Sequence, residues 1–354
     1  MAAASPELSH LSGEFEAIHY LADAASGLRA IVALHDTSLG PALGGVRCAR
    51  YPGESAALAE AMELARAMTL KCLLHELPAG GGKVVVLDRE GGDRAAAFEA
   101  LGAFLDRLGG RLFVAADLGT READLRAIGR RTRFVATPEH GVGEDLADRC
   151  AEGVLLAAST ALDVLGIDEW RGQRIAIQGL GATGARLAMM AHRAGARVTA
   201  SDVDAERAGR AADAMPIALV DPDRIFEVEC EVFAPCAASR VLDERTIPRL
   251  RCRIVCGAAN LPLRAPECAD LLMARGILYA PDLLVNAGAV IRGCEPALAG
   301  FEPPADLTGI ARRLRAVLDE SLATGVAPHR IAIDRAERLL RDARARRRAQ
   351  SAAR

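Results

Sequence analysis

Apolar positions along this chain follow two alternating periodicities, which predict helices and strands in turn. Residues 54–77 place apolar side chains at helical spacing, and residues 84–87 form a short apolar run, VVVL, typical of a buried strand. A strand-like GLRAIVALHD, a helical RAAAFEALGAFLDRL and a strand-like RLFVAADLGT flank these two segments. Because strands alternate with helices, this part of the chain is predicted to form an α/β layer.

A glycine series opens the second half of the chain. Residues 174–178 predict an apolar strand, and a helix and a second strand, which ends at Asp202, follow the series. The glycines are Gly179, Gly181 and Gly184. A strand before G-x-G-x-x-G, a helix after it and an acid 18 residues past the last glycine predict a dinucleotide-binding turn rather than a merely structural one. Glycine there permits a tight turn, close approach of a pyrophosphate to the helix N-terminus and close packing of helix on strand.

The acid at the end of the second strand favours NAD over NADP as the cofactor. A carboxylate at Asp202 is expected to bind the ribose hydroxyls of adenosine and to repel a 2'-phosphate. Arg197 and Arg207 stand nearby and weigh against this preference.

Three further apolar runs predict short buried strands, namely ECEVFAPCA, RIVCGAAN and ILYAPDLLVNAGAVI. In an open parallel sheet, ligands bind beyond the carboxyl ends of the strands. Asn260 ends the second run and Asn286 lies within the third, at equivalent strand ends, so we expect them where a nicotinamide would lie. The alternative is that each is an ordinary turn residue.

Two lysines stand on either side of a glycine run in the first half. Lys71 lies on the apolar side of the predicted helix, and no acid occupies the positions three and four residues away. Lys83 follows Gly80, Gly81 and Gly82, which predict a tight turn that brings both cations to one rim. Either lysine alone could bury its methylenes and reach water with its ammonium group. For the pair, an anionic substrate could be the missing partner.

Composition excludes several classes of function. With 354 residues, 51% of them hydrophobic, the chain is long enough for two domains, and a net charge of −3 gives no reason to expect nucleic acid or a membrane as partner. No apolar run reaches the roughly 18 residues of a membrane span, and the first residues lack a signal-peptide pattern, which predicts a soluble cytoplasmic protein. The nine cysteines are scattered without a Cys-x-x-Cys pair, so we expect reduced thiols and no metal site.

Several stretches together resemble one enzyme family. HDTSLGPALGGVR, ELARAMTLKC, GGGKVVV, AADLGT, QGLGATG, VFAPCA and YAPDLLVNAGAVI are similar, in this order, to the Glu/Leu/Phe/Val amino acid dehydrogenases, and most similar to the leucine dehydrogenase branch. The resemblance implies an N-terminal α/β substrate domain of residues 1–140, completed by a C-terminal helix at about 325–354. It also implies a doubly wound Rossmann-type NAD domain of residues 150–320, a cleft between the two domains and a homo-oligomer.

The resemblance also implies roles for individual residues. Lys71 would bind the α-carboxylate of the substrate, Lys83 would activate the water that attacks an iminium, and Asp117 would carry protons to and from the amino group. The implied reaction is the reversible, NAD-dependent oxidative deamination of an L-amino acid to its 2-oxo acid and ammonia. Glutamate enzymes of the family carry a lysine at the position of Leu43, so an apolar residue there predicts an apolar substrate, branched-chain or aromatic.

Further positions are assigned to the two ligands in the same way. The substrate pocket would be lined by Leu43, Gly44, Ala115, Val290 and Gly293. Leucine dehydrogenases tend to carry valine at the position of Gly293, so glycine predicts a larger pocket here. The cofactor would be bound by Gly179, Gly181, Ala182, Thr183, Gly184, Asp202, Cys236, Ala237, Asn260 and Asn286.

The chain departs from the family pattern near residues 137–150, TPEHGVGEDLADRC, an irregular stretch that predicts a hinge before a helix AEGVLLAASTALDVLG. GEDLADRCAEG places Cys150 where relatives have a threonine near the nicotinamide, and Glu144, Asp145 and Asp148 replace small or apolar residues. Leu261 likewise replaces an asparagine. Either the loop suits a different substrate, or the nicotinamide is held more loosely. Two alternatives therefore stay open at this point: a weak or inactive paralogue that senses NAD and amino acid, and a dehydrogenase that requires no ammonia.

Overall fold

The structure is a computed structural model that describes residues 14–88, 92–142, 145–298, 300–304 and 306–352. Its internal contacts divide the chain into two compact units. The first unit comprises Met1–Glu144, Gly293–Pro303 and Arg338–Arg354, and the second comprises Asp145–Arg292 and Pro304–Glu337.

This division differs in detail from the expected domain limits. The boundary after Glu144 falls within the segment predicted as a hinge, but Gly293–Pro303 also belongs to the first unit. The last helix, Pro328–Ala352, was expected to complete the first domain, whereas its residues up to Glu337 belong to the second unit. The separate substrate and cofactor roles of the two units stay predictions.

The first unit is built on a mixed sheet of five strands in the order β1-β2-β4-β3-β5. The pairs β1–β2 and β2–β4 are antiparallel, and the pairs β3–β4 and β3–β5 are parallel. The strands are β1 (Ala17–Ala22), β2 (Arg29–Asp36), β3 (Ala42–Ala49), β4 (Gly80–Leu87) and β5 (Leu112–Ala116). The helices are α1 (Glu54–Leu74), α2 (Arg94–Arg107) and α3 (Glu122–Gly129), with a 3-10 turn at Pro138–His140.

Successive side chains of β2 and β4 point to opposite faces of the sheet, so the apolar residues of these strands belong to two separate cores. Val32 and Val84 belong to a core with the side chains of α2 and α3. Ile31 and Val85 belong to a second core with the apolar residues of α1. Because successive side chains of a strand point to opposite faces, Lys83 lies on the same face as Val85, under α1.

The glycine run of the first unit lies in a strand, which corrects the prediction that Gly80, Gly81 and Gly82 form a turn. All three belong to β4. A Cβ on Gly81 would stand 2.1 Å from the backbone nitrogen of Thr69, so glycine allows α1 to lie directly on the strand. The apolar run at residues 84–87 therefore predicted the strand four residues too short.

The second unit contains an all-parallel sheet of six strands in the order β11-β10-β9-β6-β7-β8, which confirms the doubly wound Rossmann-type fold. The order reverses between β6 and β9. The strands are β6 (Arg174–Gln178), β7 (Arg197–Ser201), β8 (Ala218–Leu219), β9 (Val232–Pro235), β10 (Ile254–Val255) and β11 (Leu278–Tyr279).

The remaining helices connect and flank these strands. They are α4 (Leu146–Val164), α5 (Ala182–Arg193), α6 (Ala205–Ala214), α7 (Glu267–Ala274), α8 (Asp282–Val285), α9 (Gly288–Gly293), α10 (Thr308–Thr324) and α11 (Pro328–Ala352). Short 3-10 turns lie at Pro222–Glu227, Ile247–Arg249 and Glu295–Ala297. The strand predicted before the glycine series matches β6 at both ends.

Two further predictions concern the chain as a whole. Within the described residues, no helix is both long and apolar enough to cross a membrane, and the cytoplasmic location stays a prediction. Within the described residues none of the nine cysteines forms a disulfide, and each is at least partly buried. Among the described side chains, no group of three or more His, Cys, Asp or Glu residues could hold a metal ion.

Burial of His35 in the first unit is expected to make the protein less stable in mild acid. Its Nδ1 lies 2.8 Å from the hydroxyl of Thr69, and its side chain is 2% exposed. Burial, aided by the charge of Arg344, lowers the pKa of His35 to about 4. Since the unfolded chain binds a proton at this group near pH 6.5 and the native state does not, unfolding becomes easier as the pH falls from 6.5 to 4.

The shift corresponds to a loss of about 3 kcal/mol of unfolding free energy across that window. Urea unfolding at pH 7 and at pH 4 would measure it, with His35→Gln as the comparison because glutamine cannot titrate. The wild type should lose more stability between the two pH values than the variant does. Equal losses in the two proteins would show that His35 is not the responsible group.

Candidate active site

Packing of α1 on β4 brings the two lysines into one buried region of the first unit. Lys71 lies in the last turn of α1 with 5% of its surface exposed, and Lys83 lies in β4 with 3% exposed. The close contact at Gly81 sets the distance between helix and strand. The charge of Lys71 is near enough to influence the ionisation of Lys83.

Lys83 forms an ion pair with Asp117, which corrects the expectation that an external anion is its partner. The Nζ of Lys83 donates a hydrogen bond to Oδ2 of Asp117, which follows β5. The partner is 34 residues away in sequence, so inspection of helical neighbours could not reveal it. Lys83 and Asp117, predicted as base and proton carrier, are therefore in direct contact.

The surroundings shift the ionisation of both groups. Burial lowers the pKa of Lys83, and the charges of Arg47 and Lys71 act in the same direction, against the attraction of Asp117. Burial opposes ionisation of Asp117, but Lys83 and Arg47 outweigh it and hold the pKa of that carboxyl well below its usual range. The pair can therefore place a neutral amine beside a carboxylate at a less alkaline pH than free lysine allows.

Arg47 is a residue of this site that sequence reasoning missed. It lies in β3, is 4% exposed, and its Nε donates to Oδ2 of Asp117 at 3.0 Å. Its Nη1 donates to Glu60 at 2.8 Å, and the hydroxyl of Tyr51 donates to the other oxygen of Glu60. An arginine inside an otherwise apolar strand was the available signal, since buried charges require partners.

The lysine content of the whole chain is a second signal that was missed. Of the 44 lysine and arginine residues, only Lys71 and Lys83 are lysine. Arginine cannot be deprotonated in proteins, whereas a buried lysine can serve as a base. The chain thus has lysine only at the two buried positions of this site.

Three of the predicted substrate positions lie beside the ion pair. Leu43 and Gly44 belong to β3, where Leu43 is paired with Gly81 of β4, and Ala115 belongs to β5 opposite Gly45. Leu43 is 3% exposed, and a carboxylate brought to it would find an apolar side chain. Val290 and Gly293 lie on α9.

The glycine turn of the second unit fits a dinucleotide. It joins β6 to α5, and among the described residues no atom beyond the chain neighbours lies within 4 Å of the point that a Cβ on Gly181 would occupy. The first residues of α5, Ala182 and Thr183, present their backbone N–H groups at the helix N-terminus. A Cβ on Gly184 would stand 2.0 Å from the carbonyl oxygen of Gly179, so close packing requires glycine there. Cys236 and Ala237, which follow β9, border the same turn.

Asp202 is more enclosed than its predicted role requires. Its side chain is 4% exposed, and its oxygens accept hydrogen bonds from the backbone nitrogens of Leu180 and Asp204. Arg207 also donates to both oxygens, at 3.0 and 3.2 Å. Contact with ribose hydroxyls would therefore require Arg207 to give way, and the ribose role of Asp202 stays a prediction.

Asn260 and Asn286 lie together beyond the neighbouring strands β10 and β11, and their place beside a nicotinamide stays a prediction. The side-chain nitrogen of Asn286 donates to Oδ1 of Asn260 at 3.1 Å and to the carbonyl oxygen of Ala258. Cys150 contacts the backbone of Asn286, with its sulfur 3.6 Å from the carbonyl oxygen. Leu261 has a φ of 51°, a left-handed conformation that asparagine adopts more readily.

The acids of the predicted hinge have a local explanation. Asp145 caps α4, accepting from the backbone nitrogen of Ala147 at 2.9 Å, so the helix begins at Leu146, earlier than the sequence pattern indicated. Asp145 and Asp148 both form ion pairs with Arg186 of α5. Glu144 lies outside the described residues. The two described acids therefore tie together two helices of the second unit.

Comparison with known proteins identifies relatives across most of the chain. The "Glu/Leu/Phe/Val dehydrogenase, dimerisation domain" family matches residues 17–134, and "Glutamate/Leucine/Phenylalanine/Valine dehydrogenase" matches residues 206–295. Leucine dehydrogenase of Geobacillus stearothermophilus is 38% identical over 78% of this chain and 77% of its own length. Valine dehydrogenase of Streptomyces albus is 36% identical over 95% and 94%.

A solved structure agrees with these sequence matches. The crystal structure of L-tryptophan dehydrogenase from Nostoc punctiforme superimposes with a TM-score of 0.74 at 30% identity, and it covers 95% of this chain and 99% of its own. Identity above 30% over more than two thirds of both chains establishes common descent. The chain belongs to the Glu/Leu/Phe/Val dehydrogenase family and is an NAD-dependent amino acid dehydrogenase.

Proposed function

We propose that the buried region around Lys71, Lys83 and Asp117 binds an apolar L-amino acid and performs the proton transfers of its oxidative deamination. The overall reaction converts the amino acid, water and NAD to the 2-oxo acid, ammonia and NADH, with release of a proton. The observation that carries the proposal is the buried ion pair of Lys83 and Asp117 beside a second buried lysine.

The three side chains divide the work according to their charge. The ammonium group of Lys71 would bind the α-carboxylate, which would compensate a buried charge with a charge of opposite sign. Lys83, whose pKa is lowered, would take the proton of the water that attacks the iminium carbon. Asp117 would carry protons to and from the substrate nitrogen, and NAD, when bound, accepts the hydride of the α-carbon.

Residues of the second unit would hold the cofactor. The N-terminus of α5 and the open space at Gly181 would accept the pyrophosphate, while Asn260 and Asn286 would contact the nicotinamide amide. Asp202 would bind the adenosine ribose after displacement of Arg207. The pyrophosphate assignment rests on the geometry of the turn, whereas the other three rest on the places of Asn260, Asn286 and Asp202 after their strands.

An apolar substrate is supported by Leu43 and by the relatives. A side-chain carboxylate brought to Leu43 would lack a cationic partner, at a cost of several kcal/mol. The relatives act, by their names, on leucine, valine and tryptophan. Glycine at position 293 would leave room for a long or aromatic side chain beside the branched-chain ones.

We also propose that the chain forms a homo-oligomer through the first unit. The support is the match of residues 17–134 to a domain described as a dimerisation domain.

A panel of 2-oxo acids tests the substrate proposal. NADH oxidation in the presence of ammonia should be fast with 4-methyl-2-oxopentanoate, 2-oxoisovalerate, phenylpyruvate or indolepyruvate, and slow with 2-oxoglutarate. The order among the first four acids would give the size of the pocket, and the ratio to 2-oxoglutarate would test the argument from Leu43. Preference for 2-oxoglutarate would refute that argument.

A further inference from the structure

We propose that Arg47 is a positioning residue that directs one oxygen of Asp117, Oδ1, toward the substrate nitrogen and is itself held in place by Glu60 and Tyr51. The inference deepens the proposed function and rests on it, because Asp117 is its proposed proton carrier.

The hydrogen bonds of Asp117 are unevenly divided between its two oxygens. Arg47 and Lys83 both donate to Oδ2. No described residue donates to Oδ1, and the side chain keeps 13% of its surface exposed. Two donors on one oxygen fix the plane of the carboxylate, so the second oxygen is presented in a single direction. That oxygen is the one available to a substrate.

Arg47 can fix this orientation because its guanidinium group is also held by Glu60, on the side away from Asp117. Its Nη1 donates to Oε1 of Glu60 in α1 at 2.8 Å, while the hydroxyl of Tyr51 donates to Oε2 of Glu60. The guanidinium plane is rigid, so anchoring one nitrogen orients the others. Three separate segments, β3, α1 and the residue after β5, are thereby joined through a single side chain.

Three consecutive ion pairs connect Lys83 to Glu60 through Asp117 and Arg47. Lys83, Asp117, Arg47 and Glu60 carry charges of alternating sign, and each neighbouring pair is within ion-pair distance. Removal of a single member would leave a buried charge without its partner, which is far more costly than replacing a whole pair. The cation of Arg47 also disfavours protonation of Lys83, so it helps to keep the proposed base neutral.

The positioning role has a signature in the pH profile that a merely structural role lacks. The charged groups that influence Lys83 are Asp117, Arg47 and Lys71. Replacing Arg47 with glutamine removes one neighbouring cation, so the pKa of Lys83 should rise. The rate of deamination, which requires neutral Lys83, should then increase with pH only at more alkaline values than in the wild type.

Three variants and a control test the proposal. Arg47→Gln should lower kcat by about 10²-fold, the effect typical of a misplaced catalytic group, with little change in KM, and should move the pH profile upward. Arg47→Lys should lower kcat but keep the profile, because it retains the charge without the fork geometry. Glu60→Gln should lower kcat partially without a change in KM. Arg29→Gln, an exposed arginine at the start of β2, should change none of these quantities.

A second readout does not depend on turnover. Because the chain has only two lysines, incorporation of 13C-labelled lysine gives two Cε resonances, and Lys83→Arg assigns them. Titration of the Lys83 resonance should show a higher pKa in Arg47→Gln than in the wild type. If Arg47→Gln does not fold, Arg47→Lys and Glu60→Gln carry the kinetic test.

The outcomes separate the inference from the proposed function. Unchanged kcat, pH profile and Lys83 titration in Arg47→Gln, with Lys83→Ala inactive, would overturn the role of Arg47 and leave the function intact. Absence of amino acid oxidation in the wild type would instead refute the proposed function. The expected shift in both the kinetic and the spectroscopic titration supports the inference.

Discussion

Replacement of Lys83 with alanine is expected to lower kcat for deamination of an apolar amino acid by about 10²- to 10⁴-fold, the usual contribution of a positioned general base. The variant loses the amine that is buried beside Asp117 and whose pKa burial lowers. The dissociation constant of NAD, measured by calorimetry, should stay nearly unchanged, because the dinucleotide turn belongs to the other unit.

Lys83→Arg is the matched control for charge. Arginine would keep a cation next to Asp117, but it cannot release its proton, so this variant should be as inactive as Lys83→Ala. Activity of Lys83→Arg close to that of the wild type would show that only a positive charge is required at this position. Activity of Lys83→Ala would show that the base has been assigned to the wrong residue.

A single methyl group at Gly45 is expected to disable the same ion pair. The Cβ of alanine at this position would stand 2.8 Å from Cβ of Asp117 and 3.0 Å from Nζ of Lys83. Contacts below 3 Å force atoms to move, and the main chain around Asp117 cannot swing away as the tip of a flexible side chain can. A displacement near 1 Å in a catalytic group costs about 10²-fold in rate, so kcat of Gly45→Ala should fall by about that factor.

Gly92→Ala provides the comparison for Gly45→Ala. Gly92 belongs to the same unit, and apart from its chain neighbours no atom of the described residues lies within 4 Å of the position that the added methyl group would occupy. Steady-state kinetics should show wild-type kcat for Gly92→Ala, and circular dichroism should show that both variants are folded. A kcat of Gly45→Ala equal to that of the wild type would mean that the ion pair tolerates displacement or takes no part in turnover.

Local patterns were sufficient to predict the glycine turn of the second unit and the strand before it. The glycine series gave the turn between β6 and α5, and the apolar run before it gave the limits of β6, because each of these features depends on residues close together in sequence. Helix α4 was predicted to begin too late, since its first turn, LADRC, is polar and the cap by Asp145 was not considered. Capping by a side chain two residues away is nevertheless a local signal.

Contacts between distant strands limited what could be predicted in the first unit. Gly80, Gly81 and Gly82 were placed in a turn because glycine permits tight turns. In the structure a Cβ on Gly81 would meet α1, whereas a Cβ on Gly80 or Gly82 would meet neighbouring strands, so only contacts between distant elements explain these glycines. Lys83 was chosen as a candidate site residue, whereas its contacts with Asp117 and Arg47 follow from the order β4-β3-β5. That order cannot be derived from apolar periodicity.

The restriction of lysine to two positions offers a compositional argument that does not depend on the fold. In a chain whose other cations are all arginine, lysine remains where the side chain is buried and where Lys83 is paired with Asp117. Arginine serves as well as lysine on a surface, but only lysine can act as a base. The presence of lysine at position 83 therefore supports its proposed role as the base independently of any resemblance.

Dependence of NADH oxidation on ammonia tests the central claim most directly. With 4-methyl-2-oxopentanoate and NADH, absorbance of the reduced nicotinamide should fall when an ammonium salt is added and should stay constant when it is omitted. L-Leucine should form as NADH is consumed, in equal amounts. Oxidation of NADH at the same rate without ammonia would contradict the account, because the product would then be a hydroxy acid and not an amino acid.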